Sequence, residues 1–308
     1  MEQEQTASAP HRPVPVIAVC VALLAWSLAY PLVRLVLPYL SPVPLAALRY
    51  GIAAVFILAW LASTRPVLPR RADMPRFALC GVIGIAVYNI LFNSGEQTIS
   101  AGATSLLLNI SPFLSALIAV VVLGEKLSPL GWLGSAVSFS GVVIIGSGQP
   151  GGFSFGAGAT YVLAAALCSA TFYLLQKPLI ARYGALTTTA WNLLLGAIAL
   201  LPWLPQAVFQ LQGHGAWPWF LMLLLGLFPA VVAYAAWAKV VGEIGVAHSA
   251  GFLYLLSPTT LVVSFLMVGE IPSLRTVLGG AVVLAGVAMM QLYGRPRPVA
   301  ITLPQAEP

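Results

Sequence analysis

Asn89, Asn93 and Asn109, with Tyr88 beside the first, stand inside long apolar runs. Tyr173, Gln176, Asn192, Tyr234 and Tyr254, with Trp191 and Trp237, do the same further along. Each is expensive to place in hydrocarbon, so each marks either a satisfied packing contact or a wet path. Tyr88, Asn89 and Phe92 are spaced to share a helix face, as are Tyr234 and Trp237. Aromatic and amide groups without fixed charge suit a small zwitterion or an uncharged amphiphile. For any single Tyr or Trp the competing reading is a residue of the interface belt or of helix packing.

Two ionisable residues belong with this group. Arg49 is the basic residue set well inside an apolar run; it either binds a carboxylate or snorkels to the nearer end, and the structural role is favoured. His248, near the expected start of the ninth span, titrates close to neutral pH and is a coupling candidate, though a lone His is more often a helix-end residue. The acidic residues Glu96, Glu125, Glu243 and Glu270 all fall near span ends, so no deep carboxyl is expected and a facilitator is favoured over a coupled pump. His11, His214 and His248 lack metal-site spacing, and no Walker motif is present, so neither metal, cofactor nor direct ATP drive is expected.

These side chains need a scaffold, and composition sets its class. Apolar residues make up 60% of 308 and charged residues 7%, where a soluble domain carries roughly a quarter charged. The apolar residues come in long blocks rather than alternating stripes, which indicates membrane helices and excludes a β-barrel. Despite a net charge of +6, no basic tract with interleaved aromatics supports nucleic-acid binding. Cys20, Cys80 and Cys168 are read as small core residues without a disulfide framework.

Segments long enough to span are 14–35, 43–63, 76–97, 101–123, 130–147, 159–176, 187–204, 217–239, 246–268 and 274–292. If the N-terminus is cytoplasmic, nearly every Lys and Arg falls on the cytoplasmic side, with Arg34 and Arg275 outside. The positive-inside rule therefore places both termini in the cytoplasm. The first run is too long, and too rich in aromatics, for a cleaved signal peptide.

The chain repeats itself. Under a shift of 146, Ala101-GATSLLLNISP lies on Ala247-HSAGFLYLLSP, and Tyr88 on Tyr234. Under 145, Gly124, Glu125, Gly134 and Gly141 lie on Gly269, Glu270, Gly279 and Gly286. The expected division is a tail at 1–13, a five-span unit at 14–148, a linker at 149–157, a second unit at 158–293 and a tail at 294–308. An odd span number makes the second copy enter inverted, an architecture typical of transporters with a site between the halves. Pro112 and Pro258 occupy equivalent places in spans four and nine and are candidate kinks beside a cavity. The glycine pairs are helix-packing faces, inside a monomer or between protomers of a homodimer. Glu125 and Glu270 are expected to cap the next helix or to pair with neighbours such as Lys126.

The paired Ser-Pro helices, the Gly-Glu corners (LGEKLSP and VGEIPS) and the glycine-rich last helices (GWLGSAVSFSGVVIIG and RTVLGGAVVLAGVAMM) resemble the drug/metabolite transporter superfamily, specifically its ten-helix EamA-type exporters. The resemblance covers nearly the whole chain except the tails, and its motifs do not identify a substrate. Within it, the YddG-type aromatic amino-acid exporters look nearest. It implies inverted five-helix repeats around a central cavity in a bacterial inner membrane, with metabolite export. Spans three, four, eight and nine would line the path, placing Tyr88, Asn89, Phe92, Asn109, Tyr234, Trp237 and Tyr254 as cavity candidates.

The expectation is an all-α polytopic membrane protein that exports small metabolites, amino acids including aromatic ones, by alternating access. Its partners are a small-molecule substrate and the bilayer. A drug, nucleoside or sugar derivative as substrate, and proton coupling, are the alternatives within transport. An intramembrane enzyme would need a catalytic constellation at depth, which is not visible, and a receptor would rarely need an inverted repeat.

Overall fold

Helix starts are written in the local sequence. Ser100 Oγ accepts from the Ala103 N–H at 3.1 Å and Ser128 Oγ from the Gly131 N–H at 3.0 Å, each satisfying one orphan donor of a new helix. Prolines 42, 75, 129, 205 and 218 stand in first turns, where no amide donor is needed. Gly269, at φ 66°, closes another helix in the left-handed region.

The computed structural model describes residues 15–123, 128–148 and 156–293. Among them every regular element is helical. In order these are α1 (Val16–Ser27), α2 (Ala29–Val36), α3 (Pro42–Thr64), α4 (Met74–Cys80), α5 (Tyr88–Glu96), α6 (Ala101–Leu108), α7 (Ser111–Leu123) and α8 (Pro129–Ser147). Then follow α9 (Ala157–Tyr183), α10 (Ala185–Leu200), α11 (Leu204–Leu211), α12 (Trp217–Leu227), α13 (Ala233–Ala250), α14 (Leu256–Val268) and α15 (Leu274–Tyr293). Eight helical stretches are long and apolar enough to cross a membrane, and Phe252–Val268 and Leu274–Met290 are shorter apolar helices. Large apolar side chains such as Ile17, Val121 and Leu266 are exposed on the outside, as lipid requires. The protein is an all-α polytopic membrane protein.

Several boundaries differ from the sequence reading. Span six extends to Tyr183 through Pro178, which removes a single backbone bond from an otherwise continuous ladder. Span seven continues through a 3₁₀ turn at Leu201–Trp203 into α11, occupying much of the expected loop. α13 runs on to Ala250, so His248 sits on the helix of span eight, not at the start of span nine; no proline interrupts Val240–Ala250 to stop it. Span nine begins with a 3₁₀ turn at Gly251–Leu255. Cys80 is buried as expected, but Cys20 is exposed on α1. Glu125, Lys126, both tails and most of the 149–157 linker lie outside the described residues.

The tightest helix pair is α8 against α15. A Cβ on Gly134 would stand 2.8 Å from the Gly286 carbonyl oxygen, and one on Gly141 would stand 2.6 Å from that of Gly279. These two contacts exchange under the repeat register, as a two-fold axis between the halves requires. The glycine faces are therefore spent inside the chain.

The two prolines do not kink intact helices. Span four is broken at Asn109–Ile110, and Pro112 lies in the first turn of α7; Pro258 likewise lies in the first turn of α14, after the 3₁₀ turn. A proline in a first turn costs no hydrogen bond, so the irregularity precedes it.

Candidate functional site

Spans three and eight each contain a π-helical stretch, Gly81–Val87 and Phe228–Val232. Shifted by 146, the first falls on 227–233, so the two coincide in register. π-Helical turns are rare and concentrate at functional places because they widen the helix and re-aim the residues after them. Tyr88 begins the α-helix after the first stretch, and Tyr234 is the second residue after the other.

Two aromatic sets form around these tyrosines. Tyr234 meets Trp26 edge-on at 5.3 Å between ring centroids, and Trp26 meets Trp237 at 5.4 Å. Phe92 stacks on Tyr88 at 6.1 Å and takes the edge of Tyr30 at 5.3 Å. Trp26 and Tyr30 are four residues apart across the break at Leu28 between α1 and α2, so span one joins both sets. Tyr173 of α9 is 49% exposed, yet it lies within electrostatic reach of Tyr30, Tyr88 and Tyr234.

Arg49 adjoins the Tyr88 set through Asn89, the next residue on α5. It is 5% exposed, its Nη1 donates to Asn89 Oδ1 at 3.0 Å, and its Nε has no partner among the described residues. The guanidinium also lies over the Tyr50 ring at 5.3 Å. Asn89 Nδ2 in turn donates to the Ile85 carbonyl, inside the π-helical stretch, at 2.8 Å. Arg49 does not snorkel out: its side chain is buried, and its one hydrogen bond among the described residues is to a neutral amide. A buried cation without a bonded carboxylate is costly and is suited to receive an anion.

Asn109 and Tyr254 stand elsewhere. Asn109 Nδ2 bonds the Ser105 carbonyl at 3.1 Å and Ser257 Oγ, and Ser257 donates to the Ser105 carbonyl at 3.0 Å. This is a polar tie between spans four and nine beside their breaks. Tyr254 packs on the core formed by α6, α8 and α15, with its hydroxyl unpartnered among the described residues. The structure thus brings Tyr88, Asn89, Phe92, Tyr234, Trp237 and Arg49 together and leaves Asn109 and Tyr254 on a second contact. The His248 side chain lies outside the described residues.

The sequence reading missed Trp26 and Tyr30, whose i, i+4 spacing was the available signal. Glu96 stands at the end of its span as expected, but it is 1% exposed, and neither carboxyl oxygen has a hydrogen-bond partner among the described residues. Burial comes from the packing of α5 against α9 and from the turn that folds α6 back beside it. Glu270 caps a helix, but one in the other half: it accepts from Ala101 N–H at 3.2 Å and Gly102 N–H at 3.4 Å, at the start of α6. Arg34 caps the end of α5, donating to the Glu96 carbonyl at 3.1 Å and the Ile99 carbonyl at 2.6 Å. At the opposite end Asp73 binds Arg182 Nη1 at 2.6 Å and accepts from Tyr183 Oη at 2.6 Å. Among the described residues no group of three or more His, Cys, Asp or Glu could hold a metal ion.

The EamA-like transporter family matches residues 14–147 and 156–292. A "Probable terminal-alkyne amino-acid exporter" of Streptantibioticus cattleyicolor is 34% identical over 274 residues, covering 89% of this chain and 92% of that protein. The "Uncharacterized transporter YdfC" of Bacillus subtilis is 33% identical over 268 residues, covering 87% of each. A solved crystal structure at 19% identity superposes with a TM-score of 0.57 over 90% of this chain and 97% of its own, a likeness of fold alone. With its apolar helices and duplicated match, this chain belongs to the EamA-like transporter family and is a multi-pass membrane transporter of a small molecule, not an enzyme.

Proposed function

We propose that the chain exports amino acids, neutral and aromatic ones included, across a bacterial inner membrane by alternating access, with both termini in the cytoplasm. The observation that carries this reading is Arg49, buried among aromatic rings with one bond to Asn89 and a free Nε. It offers a carboxylate a charge-assisted bond, while Tyr88, Tyr234, Trp26 and Trp237 offer an apolar side chain a flat, uncharged wall. The relative from Streptantibioticus cattleyicolor, an amino-acid exporter by its description, supports the same class. The Tyr88 and Tyr234 faces, the breaks before Pro112 and Pro258, and the Asn109–Ser257 tie are the parts that would rearrange as the two halves rock. On this orientation Arg34, Glu96 and Glu270 mark the outer end and Asp73 the inner end.

The test is flux into liposomes holding the purified protein, with labelled phenylalanine, threonine and a nucleoside. Saturable phenylalanine or threonine exchange supports the reading. Nucleoside flux without amino-acid flux overturns it and favours the nucleoside alternative.

A further inference from the structure

Glu96 has no part in the carboxylate-binding argument, yet it is the most demanding group in the interior. A carboxyl removed from water needs a donor on its oxygens. Both Glu96 oxygens lack one among the described residues, with the side chain 1% exposed. The nearest guanidinium, Arg34, directs Nη1 to the Glu96 and Ile99 carbonyls instead. The elements packed around Glu96 present few other charges. α2 contributes Arg34 and Tyr30, α3 contributes Arg49, and the corner after α14 contributes Glu270. On α9 the facing stretch is Gly158 and Val162, which the Gly95 turn touches, and α6 presents no titratable side chain.

Asn89, Asn93 and Glu96 share one face of α5 at steps of four and three. The face leads from Arg49 toward the outer end, over about 10 Å at 1.5 Å per residue. Asn93 also keeps an unpartnered Oδ1 among the described residues. This is a polar track whose two ends are a cation without a bonded anion and a carboxyl without a bonded cation.

The geometry points to Glu96 as an exchange site, holding a proton when the transporter is empty and the substrate's ammonium group when it is loaded. The inference rests on the amino-acid reading above, with the carboxylate on Arg49 and the ammonium turned toward Glu96. In the outward-facing state the ammonium leaves. A proton then passes from hydronium to a carboxylate oxygen, forming one O–H bond and releasing water. In the inward-facing state that O–H bond breaks to cytoplasmic water, and the next ammonium takes the place. Each substrate exported is thus exchanged for one proton. Glu96 lies at the end of its span, so no carboxyl deep in the span is added; its burial instead supplies a carboxyl out of contact with water, which favours coupling over the facilitator expected from sequence.

The experiment uses the full-length protein in liposomes with labelled phenylalanine, measuring counterflow at equal pH and accumulation against a gradient of about one pH unit. One-for-one exchange gives the wild type up to about tenfold accumulation. E96Q, which can neither exchange a proton nor pair with the ammonium, raises the phenylalanine concentration needed for counterflow and loses accumulation; E96D, which still ionises, recovers part of both. Wild-type accumulation without dependence on the gradient, or E96Q accumulating like wild type, overturns the inference. If the wild type exchanges no phenylalanine, the substrate reading fails separately. Glu96 is then read by infrared difference spectroscopy in detergent, where loss of a protonated-carboxyl band in E96Q supports the proton site. Persistence of that band overturns it.

Discussion

Arg49→Gln separates a ligand-binding arginine from a structural one. Its Nη1 makes one bond, 3.0 Å to a neutral amide, and among the described residues no carboxylate is paired with it. A charge-assisted bond contributes about 1.5–3 kcal/mol, and each 1.36 kcal/mol is a factor of ten. The half-saturating phenylalanine concentration should therefore rise by about tenfold to about a hundredfold. Phenethylamine, which lacks the carboxylate, should compete with phenylalanine flux as well against the variant as against the wild type. The thermal midpoint in detergent should hold or rise, because an uncompensated buried cation is itself costly. The assay is counterflow with both compounds beside a melting curve of the same preparation. An equal loss for phenethylamine, or a midpoint lowered by several degrees, would refute the reasoning and make Arg49 a packing residue.

Three further outcomes are expected. Gly141→Leu should lower the thermal midpoint, since its Cβ would meet the Gly279 carbonyl oxygen and the Val283 amide nitrogen at 2.6 Å each, backbone atoms that cannot swing aside; overpacking of this kind costs about 1–3 kcal/mol, and an unchanged melting curve would contradict it. Tyr88→Ala and Tyr234→Ala should each reduce flux while the amount in the membrane holds, as measured by surface labelling, whereas equal flux returns them to packing. Single cysteines around Pro112 and Pro258 in a cysteine-free background should react with aqueous reagents along one face, and uniform protection would remove these helices from the path.

The all-helical membrane class and the Gly-faced pair were legible because each rests on local rules: length against membrane thickness, and small residues at helical spacing. Tyr88, Phe92 and Tyr234 with Trp237 were legible as helix faces for the same reason. The π-helical stretches were not, since GVIGIAV and FPAVV carry no residue that demands a wider turn, and tertiary contact selects it. Glu96 stands at its span end as read, but its burial was not legible, because sequence gives distance along a span and not what packs over its end; α9 and α6 pack against α5 there. Glu270 was recognised as a cap, but the helix it caps is 168 residues away, a distance that no local rule reaches.

The duplication supplies two similar halves, but the chemistry is nearly all in one. Under the shift that carries Tyr88 to Tyr234, Arg34 falls on Ile180, Arg49 on Leu195, Asn89 on Ala235 and Glu96 on Gly242. The repeat is therefore asymmetric in charge, since the second half has apolar or small residues at each of these positions. The closures differ as well. At the Arg34 end Glu270 and Arg34 bind backbone groups at half-buried sites. At the other end Asp73 meets Arg182, whose side chain is 51% exposed, a pair worth little and screened by salt. The two ends are therefore held by different chemistry: backbone caps beside a buried carboxyl at one, and at the other an aspartate shared between Tyr183 and a half-exposed arginine. Duplication thus supplies two similar halves whose polar groups have diverged, the first carrying Arg49, Asn89 and Glu96 where the second carries Leu195, Ala235 and Gly242.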